Sequence, residues 1–356
     1  LRAERLDGAV EESDIDALLV TEMNNVEYLT GFSGSNGACL VGSGLRIFYT
    51  DFRYATRAAE EIAGWEVEIV PGEWLSGLAG LISTAVGDGS IGIEDDHVTV
   101  RTSRLLGENL SGGTSLTDAG GLVESLRRSK DDDEVAAIAT ASMLTDSIYS
   151  EVFDRGMVGR TEADVAGFVV SRMRELGAEP SFPPIIASGP NGALPHAEPG
   201  SRKISPGELV VMDMGSRVDR YCSDCTRTVA TGTLSEEAAG IYDVTLRANE
   251  RALEAIAAGK GASEIDAVAR DLIEEAGYGE HFGHGLGHGV GLEVHEAPRL
   301  GPRSEDTLVE GDVVTVEPGI YLPGRYGVRI EDLVVVGAEG ISRNLSSHPK
   351  NLTVVD

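Results

Sequence analysis

Residues 207–231 read GELVVMDMGSRVDRYCSDCTRTVAT, two apolar β-type runs joined by the turn-prone RVDR. The pattern predicts an antiparallel hairpin. Asp213 falls inside the first apolar run, where an unpaired carboxylate is costly. Asp224 lies on the returning arm, and the hairpin can bring both to one face. Ordinary turn aspartates are the alternative, which suits Asp219 better than Asp213.

Strand-like segments recur downstream. VVTVEPGIY (313–321) ends an apolar run on Glu317, and Pro318-Gly319 break it. VRIEDLVVV (328–336) reads as one strand with Arg329 and Glu331 on the same face. They could form a buried salt bridge, or Arg329 could support Glu331 as a ligand. HFGHGLGHGVGLEVHE (281–296) carries four of the seven histidines on a glycine-rich stretch. It has neither the Gly-Lys-Ser/Thr of a phosphate loop nor a His-Glu-x-x-His zinc helix. A surface loop is its plain alternative, as it is for His196 in NGALPHAEPG (191–200). Asp213, Asp224, His288, Glu317 and Glu331 suit a pair of hard or borderline divalent ions, and such a pair points to hydrolysis.

Between these strands run helical patterns at 134–154, 161–177, 235–259 and 263–277, with Thr161 as a cap and Gly177 as a stop. Residues 129–356 therefore read as α+β, with helices outside a mostly antiparallel sheet. Residues 1–128 read as a smaller α/β domain, with residues 14–50 as short β elements and turns. The charge cluster RRSKDDDEV (127–135) is the expected linker.

The chain has 356 residues and a formal charge of −30, from 59 acidic and 29 basic residues, only four of them lysine. Such a surface repels nucleic acid and anionic membrane. No apolar run is long enough to span a bilayer, the start lacks a secretory core, and three cysteines make no disulfide framework. A cytoplasmic protein is expected.

The combination DMG (213–215), SDCTRT (223–228), GHGVGLEVHE (287–296), EPGIY (317–321) and VRIED (328–332) resembles the Xaa-Pro peptidases of the creatinase, prolidase and methionine aminopeptidase superfamily. VTEMNNVEYLTGFSGSNGACLV (20–41) and YTDFRY (49–54) resemble their N-terminal domain. The resemblance implies a creatinase-like N-terminal domain followed by a pita-bread catalytic domain. It implies that Asp213 binds one metal, that His288 and Glu317 bind the other, and that Asp224 and Glu331 bridge them. Manganese is the first choice, with cobalt or zinc as alternatives. Glu317 would be the general base, His295 the oxyanion partner, and His196 and His284 substrate-orienting groups, with Tyr321 and Arg329 in support. Arg299 would meet the carboxylate of an Xaa-Pro dipeptide, as in a prolidase, or stand as a surface arginine. An aminopeptidase P acting on longer Xaa-Pro peptides is the near alternative, and a non-catalytic binding protein the distant one. A homodimer is expected.

Overall fold

In the computed structural model, residues 2–42 and 44–356 are described, and the chain divides into two compact units, Leu1–Arg127 and Arg128–Asp356.

The first unit is a six-stranded sheet with helices. Its strands are β1 (Ala17–Val20), β2 (Gly37–Gly42), β3 (Leu45–Thr50), β4 (Glu66–Ile69), β5 (Ser90–Ile93) and β6 (Ser115–Asp118), in the order β4-β3-β2-β1-β5-β6. β1–β2 and β2–β3 are antiparallel, whereas β3–β4, β1–β5 and β5–β6 are parallel. This mixture is the mark of helices crossing over a sheet. The helices are α1 (Arg2–Glu11), α2 (Met23–Thr30), α3 (Ala55–Glu61), α4 (Trp74–Val86), α5 (Val100–Asn109) and α6 (Leu122–Arg128), the last reaching the unit boundary. α2 departs from the expected run of β elements. Glu22 caps it by accepting from the Asn25 amide, and Gly31 ends it at φ 75°. Its Val26 and Leu29, three apart, are buried.

The second unit starts with α7 (Asp132–Arg155) and α8 (Glu162–Glu175). The residues expected to form a linker are instead fixed. Asp131 and Glu134 close a capping box on α7, and Lys130 and Glu134 are buried. Then follow β7 (Glu179–Pro180), β8 (Ile185–Ser188), β9 (Leu209–Met214), β10 (Ser216–Val218), β11 (Tyr221–Cys222) and β12 (Cys225–Ala230). Helices α9 (Glu236–Ala255) and α10 (Ala262–Glu275) come next. The remaining strands are β13 (Gly287–Gly289), β14 (Glu296–Leu300), β15 (Val313–Val316), β16 (Gly319–Leu322), β17 (Tyr326–Arg329), β18 (Asp332–Val336) and β19 (Ile341–Asn344). They form antiparallel sheets β12-β9-β8, β14-β13-β15-β18-β19, β11-β10-β7 and β16-β17. The α9 and α10 apolar faces, including Ile241, Ala248, Ile265 and Ile273, pack with Val314, Val316, Ile320 and Val334. This α+β layering is the pita-bread arrangement.

The stretch 328–336 is two strands rather than one. β17 pairs with β16, while β18 pairs with β15. Pro318 breaks one chain, and the break in its neighbour lies opposite, because Val316 pairs with Asp332 and Gly319 with Arg329. Glu317 and Glu331 therefore sit where two adjacent chains pass from one sheet to another.

Candidate metal centre

The hairpin β9–β12 sets Asp213 opposite Thr226. Its turn carries Asp219 and Arg220 at positive φ, and short strands β10 and β11 lie between the arms. Asp224 stands in the loop just before β12. The Thr226 hydroxyl donates to Glu331 Oε2 at 2.7 Å and accepts from Arg329 Nε at 3.1 Å. One hydroxyl thus aligns two of the expected site residues. Nothing in the sequence singles out Thr226 beyond its register with Asp213, which only the pairing reveals.

His288 lies on β13. Its Nδ1–H donates to Gly289 O at 3.1 Å, leaving Nε2 free to act as a ligand. That nitrogen is 3.2 Å from Glu317 Oε1 and 3.7 Å from Asp224 Oδ2. Ligand bonds of about 2.1 Å meeting at right angles separate neighbouring donors by about 3 Å. Donor atoms of Asp224, His288 and Glu331 all lie within 4.8 Å of one another. Arg329 Nη2 holds Asp213 Oδ2 at 2.7 Å. All five residues line one cavity of about 840 Å³.

The charge balance of this cluster favours cations. Asp213 Oδ1 and Glu331 Oε1 are buried and, among the described residues, have no hydrogen-bond partner. Burial pushes the carboxyls of Asp224 and Glu331 well above the usual range, and neighbouring carboxylates push the same way. Burial also raises Asp213, against the pull of Arg329. Burial would raise Glu317 too, but His288, His284 and Arg329 overcome it and hold the carboxyl at about 2. Four carboxylates cannot all stay charged here without added positive charge, and the orphaned oxygens are placed to meet it. The donor set fits divalent metal ions.

Glycine makes the approach of β13 possible. A Cβ on Gly287 would lie 2.0 Å from Thr315 O. Gly287→Ala must push β13 away from that carbonyl and carry His288 with it. We expect a loss of about 1–3 kcal/mol in stability, together with weaker metal binding. Thermal melts and metal titration of the purified variant check both.

The six other expected side chains differ in their surroundings. His295 faces the ring of His288, with centroids 4.5 Å apart at 75°. Burial and the neighbouring His288 lower it to about 4, so the ring is neutral at pH 7. His196 lines the cavity on an exposed loop. Arg299 lines it from β14, directly across from His288 in the strand register. Its side chain is exposed. His284 lines the cavity too, but both ring nitrogens are engaged. Nδ1–H donates to Gly285 O at 2.8 Å, and Nε2 accepts from the Tyr321 hydroxyl at 2.9 Å. The ring therefore lines the cavity while its Nε2 side is tied to Tyr321. Tyr321 is buried, absent from the cavity lining, and accepts from Arg329 Nη1 at 2.8 Å. Arg329 thus links Tyr321 to Asp213.

Comparison with known proteins agrees with this architecture. Residues 136–338 match metallopeptidase family M24, and residues 2–129 match the creatinase/prolidase N-terminal domain. The chain belongs to metallopeptidase family M24. An Xaa-Pro dipeptidase of Pyrococcus furiosus is 34% identical, over 96% of this chain and 97% of that protein. The structure of an Xaa-Pro dipeptidase from Bacillus anthracis superposes with a TM-score of 0.95 at 38% identity, covering 99% of each chain. An X-Pro aminopeptidase from Thermotoga maritima superposes at 0.90 with 35% identity, covering 100% of each. Family M24 metallopeptidases act with divalent metal ions, in keeping with the donor set found here. Among the described residues, no helix is long and apolar enough to cross a membrane.

Proposed function

We propose that this M24 chain hydrolyses the bond before proline in Xaa-Pro dipeptides, as a prolidase, with residues 129–356 carrying the reaction and residues 1–128 forming a separate domain. The observation that carries the reading is a cation, Arg299, set across one strand pair from His288 of the buried carboxylate–histidine cluster and lining the same cavity. A dipeptide places a carboxylate one residue from its scissile carbonyl, and a guanidinium can bind it with two parallel hydrogen bonds. Phe182, Pro183, Pro184 and Ile185 supply an apolar wall for the prolyl ring. The prolyl nitrogen carries no hydrogen, so that wall needs no acceptor for it.

Asp213, Asp224, His288, Glu317 and Glu331 would hold two divalent ions, manganese first and cobalt or zinc as alternatives. Bound there, the ions supply a water of lowered pKa and polarise the substrate carbonyl. Glu317 takes the proton of the attacking water and returns it to the prolyl nitrogen as the C–N bond breaks. His295, a neutral donor, hydrogen-bonds the oxygen that gains charge. His196 orients the substrate from its loop. Arg329 keeps Asp213 aligned through the 2.7 Å contact.

A second reading, release of the first residue from longer Xaa-Pro peptides, is favoured by the continuation of the cavity past Arg299 along Gly301–Ser304. Hydrolysis of Ala-Pro and Ala-Pro-Ala by the manganese-loaded protein decides between them. Arg299→Ala should raise KM for Ala-Pro about tenfold or more, since a charged hydrogen bond is worth about 1.5–3 kcal/mol. It should leave Ala-Pro-Ala much less affected. An equal change for both substrates sinks the dipeptidase reading, and turnover of neither, with metal bound, points to a binding protein. We also propose a cytoplasmic homodimer, following the resemblance. The three buried, free thiols Cys39, Cys222 and Cys225 suit a reducing compartment. Light scattering tests the dimer.

A further inference from the structure

Lys130 is one of only four lysines in the chain, and its side chain is 1% exposed. Its Nζ meets Glu296 Oε2 at 2.9 Å, and that carboxylate is 6% exposed. A buried ion pair adds little net stability over an apolar pair of the same shape, but it does fix geometry. What it fixes here is the loop between β13 and β14. Glu296 Oε1 accepts from the Glu293 amide at 3.0 Å, and Gly291 N donates to Glu293 O at 3.0 Å. Cys222 N donates in turn to Gly291 O at 2.8 Å. A Cβ on Gly291 would come within 2.5 Å of Glu296 Oε2, so glycine leaves the carboxylate its place. Lys130 is itself anchored, because its amide donates to Gly311 O at 2.9 Å and Asp131 caps α7 immediately after it.

This loop delivers His295, the residue before Glu296. Among the described residues the His295 ring has no hydrogen bond; it only packs edge-on against His288. Its aim is therefore set by the backbone that carries it. We propose that Lys130 is a positioning residue for the reaction: through Glu296 and Glu293 it locks the 290–296 loop and so holds His295 against the metal centre. The proposal rests on the hydrolase reading above.

Lys130→Met alone strands a buried carboxylate and risks the fold, so the informative variant is Lys130→Met with Glu296→Gln. It should fold, keep its metal content, and lose about 10–100-fold in kcat/KM on Ala-Pro, the range typical of groups that orient a metal site. The loss should fall on kcat, with KM little changed. Combined with His295→Ala, it should add almost nothing, because both changes remove the same aimed imidazole. Amide hydrogen exchange across 290–295 should also quicken in the paired variant. Losses that multiply with that of His295→Ala, or unchanged exchange in the loop, overturn the proposal. If the unaltered, metal-loaded protein turns over no Xaa-Pro substrate, the hydrolase reading fails, and the exchange measurement alone still decides whether Lys130 holds the loop.

Discussion

Glu317→Gln should lower kcat on Ala-Pro by about 10²–10⁴-fold, the span that a positioned proton-transfer group contributes. Glutamine keeps the shape and can still accept from Thr315 Oγ1, which now lies 3.3 Å from Glu317 Oε1. It cannot take a proton from water. KM should move far less than kcat, because the group acts on the transition state rather than on bound substrate. Metal content must be measured alongside, since Glu317 is also a proposed ligand. A variant that retains metal and near-normal kcat removes Glu317 from the chemistry.

Asp224→Asn carries the second large effect. Asp224 lies 3.7 Å from His288 Nε2 and within 4.8 Å of the Glu331 donor, and is one of the two carboxylates proposed to bridge the ions. An amide oxygen there brings no charge to offset that of the ions. Losing the metal contribution removes several kcal/mol of transition-state stabilisation, which at 1.36 kcal/mol per decade is on the order of 10³-fold in rate. Chelator treatment of the unaltered protein should reproduce the loss, and added manganese should reverse it only in the unaltered protein. Restoration by manganese in Asp224→Asn as well would show that this carboxylate is dispensable. Stability should not fall in step with activity. Burial already disfavours the charged form of Asp224, so a neutral side chain relieves desolvation.

The site is legible in sequence where a polar group sits against its surroundings. Asp213 within LVVMDM is such a place, as are Glu317 before Pro318-Gly319 and His288 among glycines. Each departs from local pattern, and such departures concentrate at functional positions. Less visible is anything decided by pairing between distant segments. Thr226 looks like one more β-branched residue until β9 and β12 are aligned. The tie between His284 Nε2 and Tyr321, thirty-seven positions on, is likewise invisible until the chain folds. The division of 328–336 between two sheets is harder to see: alternation stops at Glu331-Asp332, yet the apolar LVVV that follows still reads as a continuing strand. In the first unit, α2 escapes notice since eight residues give barely two turns of periodicity and the cap is a glutamate. RRSKDDDEV reads as a linker by composition alone, yet its Lys130 is spent on a buried partner.

The paired crossing at Glu317 and Glu331 has a consequence for how this molecule tolerates change. Two strands leave one sheet and enter another at the same level, and each turns at a carboxylate that faces the other across the seam. Between the end of β15–β18 and the start of β16–β17, the seam is spanned by Ile330 N donating to Pro318 O at 3.4 Å. Ions held by those carboxylates, as proposed, would fasten the seam further as well as serve the reaction. A descendant that gave up hydrolysis would remain under pressure to fill the seam, with metal or with a replacement pair of opposite charge.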